Sequence, residues 1–302
     1  VLTIGFFDGV HLGHRRTIGR AIAEAREEGR ELVVVTFDRH PSEIARPDRA
    51  PKLLTDLTQR LELLAEMGVD AAFVIAFDAQ AAAQSAEGFI DEVLVAQLGC
   101  AKVIVGENFR FGANRSGDVT LLREAGAHLG FVVEDVSLGA EDGEPISSTR
   151  IRSLLVDGDV AGAAALLGRL HELRGTVVHG EGRGGTGLGY PTANLEIDAR
   201  LALPADGVYA GWYRDELLGA MPAAISVGRR PTFLEGAEPI VEAHLLDFSG
   251  DLYGRTGRVS FLERLRGEVR FAGASELIAQ MAIDCEHAGA LCAGAASRAP
   301  GG

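Results

Sequence analysis

Lysine is almost missing from this chain. Only Lys52 and Lys102 occur in 302 residues, so arginine, histidine and backbone N–H groups must do most of any anion binding. A Walker A loop is excluded, because no G-x-x-x-x-G-K-[ST] string occurs. Cysteine is scarce as well. Cys100, Cys285 and Cys292 form an odd set without C-x-x-C spacing, which points to neither a disulfide framework nor a zinc site and fits a reducing cytoplasm. No apolar run approaches the roughly 18–20 residues of a membrane helix, so no span is expected. The opening VLTIGFF is too short for a secretory signal and lacks the basic flank; it reads as a first core strand, with a few residues expected upstream of Val1. Positive charge is in deficit throughout: the net charge is −14, with 17 basic against 26 acidic residues up to residue 170 and 12 against 17 beyond it. A sequence-independent nucleic-acid binder needs a basic face, and neither half supplies one.

What remains is ordinary globular material, 47% hydrophobic and 24% charged, long enough for two cores. Up to residue 170, short apolar runs alternate with helical patterns: VLTIGFF, then HRRTIGRAIAEAREEGR, ELVVVTF, LTQRLELLAEMGVD, AAFVIAF, SAEGFIDEVLVAQLG and AKVIVG. This βαβα order predicts a doubly wound parallel sheet with helices on both faces. STRIRSLLVDGDVAGAAALLG reads as a last helical stretch ending at Gly168. From residue 171 the grammar changes to short strands between Gly, Pro and Asp, namely GVYAGWY, PAAISVG, VEAHLLDF and GRVSFLE. These predict a small antiparallel barrel or sandwich, closed by one C-terminal helix over ASELIAQMAIDCEHAGALC and a frayed tail.

Two glycine-rich stretches stand out. In GFFDGVHLGH, residues 5–14, a strand, a turn and a helix start follow one another, so His11 and His14 fall on the first helical turn, where backbone N–H groups already favour an anion. Taken alone, the pair is also compatible with half a metal site lacking an evident third ligand, or with two surface histidines. GEGRGGTGLGYPTAN, residues 180–194, contains G-x-G-x-x-G, but Pro191 and a β-rich context follow it where a dinucleotide fold would open a helix. The fingerprint is therefore refused.

GFFDGVHLGH, with VVVTFDRHP at 33–41, VGENFRFG at 105–112 and ISSTRIR at 146–152, resembles the H-x-G-H nucleotidyltransferases, and specifically the adenylylating module of the bacterial bifunctional riboflavin kinase/FMN adenylyltransferases. LGYPTANL at 188–195, VEAHLLDFSGDLYG and LRGEVRF resemble the riboflavin kinase module of the same family. The resemblance implies an adenylyltransferase domain over residues 1–170 and a barrel kinase domain over 171–302, acting on riboflavin, FMN and ATP with Mg²⁺ and yielding FAD. His11 and His14 then stabilise the α-phosphate. Asp8, Gly9, Ser147, Ser148, Thr149 and Arg150 bind ATP in the first domain; His40, Pro41, Asn108, Phe109 and Phe111 face the flavin. Gly182, Gly184, Thr192 and Asn194 bind ATP in the second, Thr192 and Asn194 also holding the metal, and Glu268 is the catalytic carboxylate. In isolation ISSTRIR is a helix start with a basic turn, Phe109 and Phe111 are one strand face, and Glu268 is an ion-pair partner for Arg266 or Arg270. Departures from the family pattern are Arg39 where Pro is usual, a glycine loop longer by about one residue at Gly185 and Thr186, and Arg229 and Arg230 in GRRPTF. A chain retaining one activity, or a flavin carrier, is the alternative; the joint presence of the named groups argues against both.

Overall fold

The computed structural model describes residues 1–137, 139–141, 144–179, 192–230 and 238–295. It divides into two compact units, Val1–Ser148 and Thr149–Gly302.

In the first unit the elements are β1 (Leu2–Ile4), α1 (Leu12–Glu27), β2 (Val33–Phe37), α2 (Pro41–Ala45), α3 (Leu57–Glu66), β3 (Ala71–Ile75), α4 (Ala79–Ala83), α5 (Ala86–Phe89), β4 (Lys102–Gly106), α6 (Val119–Leu129), β5 (Val132–Val136) and a small hairpin, β6 (Ala140–Glu141) with β7 (Glu144–Pro145). The turns of α5 continue as a π-helix over Ile90–Gln97. Five parallel strands lie in the order β3-β2-β1-β4-β5, with the order reversing at β1. Alternation along each strand sorts the core into two layers. Leu2, Ile4, Val35, Val103 and Val105 pack with Phe89, Ile90, Val93, Leu94 and Leu122. Val34 and Ile104 face the other way, onto Ile18, Ala21 and Ala25 of α1 and Leu63 and Leu64 of α3. Near-continuous apolar strands are the sequence form of burial on both faces, and the expected doubly wound sheet is what they build. The pair α6–β5 lies beyond the elements expected and completes the sheet.

The second unit holds α7 from Thr149 on (Ser148–Asp157), α8 (Val160–Leu167), β8 (His171–Val178), β9 (Ala193–Ile197), β10 (Gly207–Asp215), β11 (Gly219–Arg230), β12 (Glu238–Leu245), β13 (Thr256–Arg266) and α9 (Ala274–Ala295). The single helical stretch expected before Gly168 is two helices, because Gly158 is left-handed at φ 80° and Asp159 caps a new start by accepting from Gly162 N at 2.8 Å. The strands close as a six-stranded antiparallel barrel in the order β10-β11-β12-β9-β8-β13. Register shifts between β10 and β13 occur at Ala210/Gly211, and a Cβ on Gly211 would collide with the Ser260 carbonyl oxygen. Glycine there lets the barrel turn its corner. Leu173, Val177, Leu195, Tyr209, Ile225, Val241, Val259 and Phe261 fill the interior. Helix α9 lies on the outside, where Ala288 meets the small Ala210 and Ala224 and Asp284 receives Arg266 of β13, with Nη2 at 2.7 Å from Oδ2.

His171 is sealed in that barrel at 1% exposure, stacked near Phe261, with Nε2–H donating to Ala202 O at 2.9 Å. Burial pushes its pKa down to about 4. Below the ordinary value near 6.5 the unfolded chain takes up a proton that the folded barrel refuses, so stability falls as pH drops from 6.5 to 4 and then levels. The shift corresponds to about 3 kcal/mol. Chemical denaturation of wild type and His171→Leu between pH 7.5 and 4 should show the steeper loss in wild type; parallel losses would assign the pH dependence to other groups.

Candidate functional site

The first glycine stretch forms a strained turn at the carboxyl end of β1. Phe7, Gly9 and Val10 have φ of 53°, 80° and 40°, a left-handed run that only Gly9 adopts without a Cβ penalty. Asp8 was expected to face ATP. Its side chain instead turns inward, 4% exposed, where Oδ1 accepts from Leu54 N at 2.8 Å and Thr55 N at 3.2 Å. Gly9 N donates to Thr55 Oγ1 at 3.1 Å. The turn is therefore fixed from below, and its open side is backbone.

His11 caps α1. Its Nδ1 accepts from His14 N at 3.3 Å, which leaves the ring proton of neutral His11 on Nε2. The His14 ring stacks on it, with centroids 3.5 Å apart and planes 18° apart, and meets the Phe7 ring edge-on at 5.3 Å. Burial, the neighbouring His11 and the cation of Arg60 hold the His14 pKa well below 6.5. His14 Nδ1 is buried without a hydrogen-bond partner. His14, stacked on His11 at a helix N-terminus, thus offers an N–H donor rather than fixed charge before an anion arrives. Among the described residues no group of three or more His, Cys, Asp or Glu side chains is placed to share a metal ion.

Ser148 joins this turn by donating Oγ–H to Asp8 O at 3.0 Å; Ser147 beside it is half-buried. Thr149 and Arg150 lie on the other side of the division between the units, exposed and half-buried respectively. The groups expected at the flavin stand at the ends of the neighbouring strands. After β2, His40 caps α2 by accepting from Ser42 N at 3.1 Å while Glu43 accepts from His40 N at 3.0 Å, with Pro41 in the first helical position. The His40 ring sits edge-on to Phe6 at 4.8 Å. After β4, Asn108 is exposed and Phe109 is half-buried. Phe109 stacks on Phe111 at 5.4 Å, and Phe111 packs into the core beside Phe89, 8% exposed. Phe111 is a support, then, and Asn108 and Phe109 are the members with surface to offer. All of this lies at the carboxyl ends of β2, β1 and β4, where an open parallel sheet places its ligands.

In the barrel, Gly182 and Gly184 lie outside the described residues. On β9 the side chains of Ala193, Leu195 and Ile197 are buried while Thr192 and Asn194 are half-buried on the opposite face. Asn194 Oδ1 is buried without a partner, and Asn194 Nδ2 reaches only the Thr192 carbonyl, at 3.4 Å. An orphaned amide oxygen beside a hydroxyl is a hard-oxygen donor set of the kind Mg²⁺ takes. Glu268, expected as the catalytic carboxylate, is exposed beyond β13. Its Oε1 stands over Gly228 of β11, 2.8 Å from where a Cβ would be, and Arg266 is paired with Asp284 instead. The carboxylate that strand register sets directly across from Asn194 is Glu242 of β12. Alternation between buried Val241 and Ala243 put Glu242 on an outer face in sequence. The pairing of β12 with β9, across about fifty residues of chain, was not readable there.

Comparison with known proteins supplies the remaining observations. The family description FAD synthetase matches residues 1–150, and riboflavin kinase matches residues 167–292. The bifunctional riboflavin kinase/FMN adenylyltransferase of Escherichia coli (strain K12) is 42% identical over 288 residues, covering 94% of this chain and 90% of that protein. The protein of the same description from Bacillus subtilis (strain 168) is 34% identical over 293 residues, covering 95% and 91%. A crystal structure described as a macrolide-efflux protein from Streptococcus pneumoniae superposes with a TM-score of 0.84 at 32% identity, over 94% of this chain and 92% of that one. The efflux description is that protein's own. No described helix here is long and apolar enough to cross a membrane.

Proposed function

The chain belongs to the bifunctional riboflavin kinase/FMN adenylyltransferases, and we propose how its own residues divide those two reactions. Residues 1–170 adenylylate FMN and residues 171–302 phosphorylate riboflavin, each using ATP, so that the kinase product is the adenylyltransferase substrate. The free thiols Cys100, Cys285 and Cys292 suit the cytoplasm as the place of work.

In the first reaction an FMN phosphate oxygen bonds to the α-phosphorus of ATP, the bond from that phosphorus to the β-phosphate bridging oxygen breaks, and pyrophosphate leaves. The nucleophile is already an anion, so what the protein must supply is position and donors for the charge on the α-phosphate. The stacked His11–His14 pair on the first turn of α1 carries this reading. Gly9 and the α1 start contribute backbone, and Ser147 and Ser148 take the triphosphate tail. Asp8 acts through the backbone it holds. His40, Pro41, Asn108 and Phe109 receive the flavin, with Phe111 behind Phe109.

In the second reaction the terminal ribityl hydroxyl bonds to the γ-phosphorus, and ADP leaves. This nucleophile must lose a proton, which gives a carboxylate a task that the first site lacks. Thr192 and Asn194 would hold Mg²⁺ through hard oxygens, and the ion would supply charge neutralisation to the phosphates; Gly182 and Gly184, outside the described residues, are assigned to ATP with them. Glu242, across from Asn194 on the same outer face, is the carboxylate that accepts the proton. This replaces Glu268 in that role.

Two assays test the division. His14→Ala should reduce FAD formation from supplied FMN by at least about 100-fold, while FMN formation from riboflavin proceeds within about threefold of wild type. Undiminished adenylylation would remove the histidine pair from the reaction. For the kinase, Glu242→Gln keeps the side-chain size but cannot take a proton, so riboflavin phosphorylation should fall by about 100- to 10,000-fold, with Glu268→Gln close to wild type. The reverse pattern would return the base to Glu268.

A further inference from the structure

The chain between α2 and the middle of α3 has no part in the chemistry above, yet it carries most of what fixes the His11–His14 turn. Phe7 and Val10 are non-glycine residues in the left-handed region, a conformation that persists only where the surroundings over-determine it. Those surroundings are Leu54 to Arg60. Thr55 Oγ1 accepts the Gly9 amide, and Thr55 N donates to Asp8. Arg60 reaches from α3 with its guanidinium fork split between two strands: Nη1 donates to Phe6 O at 2.9 Å, and Nη2 donates to Phe37 O at 2.6 Å. The same guanidinium lies over the Phe6 ring, 4.2 Å from its centroid, and Phe6 in turn meets His40.

Both side chains are sealed, each with 1% exposure. Arg60 is the largest fully buried side chain described. No carboxylate lies within ion-pair distance of it among the described residues, and its Nε is buried without a partner. Burial lowers its pKa to about 10, which still leaves it charged at neutral pH. A buried guanidinium that ends on two carbonyls is a poor way to gain stability, since a well-packed apolar side chain of similar volume usually does as well or better. Its fork does something an apolar side chain cannot: it fixes the carboxyl ends of β1 and β2 relative to each other, at the sheet edge where the proposed ligands sit.

The geometry points to Thr55 and Arg60 as positioning residues for adenylyl transfer, Thr55 holding the Gly9 amide and Arg60 the Phe6 and Phe37 carbonyls, so that the stacked histidines keep their orientation toward the α-phosphate. This rests on the reading of His11 and His14 given above. A displacement of about 1 Å in such a turn costs on the order of 100-fold in rate.

Thr55→Val removes the hydroxyl and keeps the shape, so kcat for FMN adenylylation should fall by about 10- to 100-fold, with KM for ATP and FMN within about threefold. Thr55→Ser should restore kcat. Arg60→Lys keeps the charge but loses the fork, and should fall at least about 10-fold. Riboflavin phosphorylation in the same preparations should be unchanged. In ¹⁵N spectra the imidazole signals of His11 and His14 should shift in Thr55→Val and return in Thr55→Ser, which a loss of stability alone would not produce. Thr55→Val within about threefold of wild type, failure of Ser to rescue, or Arg60→Lys at wild-type rate would overturn the assignment. His14→Ala run alongside separates the two ideas: if it leaves adenylylation intact, the histidine reading falls; if it abolishes adenylylation while Thr55→Val does not, only the positioning role falls.

Discussion

The buried carboxylate of Asp8 is the contact on which the first site depends. A strand that ends in Phe6, Phe7, Asp8, Gly9 and Val10 has no intrinsic reason to turn through three left-handed residues before starting a helix. The two amides of Leu54 and Thr55, converging on one Asp8 oxygen, replace the solvation that the carboxylate gives up on burial and bind the turn to a neighbouring segment. Once that is in place, His11 falls at the N-cap and His14 one turn into α1, and stacking fixes both rings. The sheet contributes the other half. With β1 at the point where strand order reverses, the turns after β2, β1 and β4 converge, and residues far apart in sequence share one edge.

The barrel solves a different problem. Its interior is filled by Tyr209, Phe261, His171 and the aliphatic residues around them, so no substrate enters it, and chemistry must be done on the outer face or at a rim. Period-two alternation supplies the groups: each buried residue on β9 and β12 is flanked by an outward polar one, and antiparallel register brings Asn194 and Glu242 opposite each other. Register also makes that pairing rigid, since slipping by one residue would drive both polar groups into the core and Ala193, Leu195, Val241 and Ala243 out of it.

The fold was largely legible because burial dictates pattern. Strands buried on both faces had to read as apolar runs, and barrel strands as alternation; the two grammars meet near Gly168. The π-helical turns after α5 carry no signal of their own, and α6 with β5 went unassigned. The break at Gly158 was visible as a glycine followed by a capping aspartate, yet the alanine-rich sequence around it masked the stop. His11, His14, Thr192 and Asn194 can be proposed from local motifs, because each depends on spacing within one turn or strand. Asp8 and Glu242 depend on pairing across the fold. Asp8 sits beside the histidines in sequence, where a carboxylate reads as a ligand group, while its Oδ1 accepts from amides 46 and 47 residues away. Glu268 has an arginine on either side at two residues' distance, and only the Arg266–Asp284 pair shows that its setting is unlike what that neighbourhood suggests.

The two nucleophiles explain why the sites differ in kind. A phosphate monoester arrives ionised, and a site built for it gains by presenting donors that are neutral until the anion binds. The depressed pKa of His14 suits the role proposed for it, because two charged rings would repel each other across 3.5 Å. An alcohol arrives neutral and must shed a proton during attack, so its site needs an acceptor in place beforehand. Glu242 stands at a strand position where the backbone is held on both sides, by Ser226 and by Asn194, whereas Glu268 stands in a segment without regular structure. A group that must meet a proton at a defined point in the reaction is better carried by the first kind of position than by the second. The same reasoning applies to Arg60 and Thr55 beneath the histidines: where chemistry needs no base, precision of placement is what the protein has left to contribute.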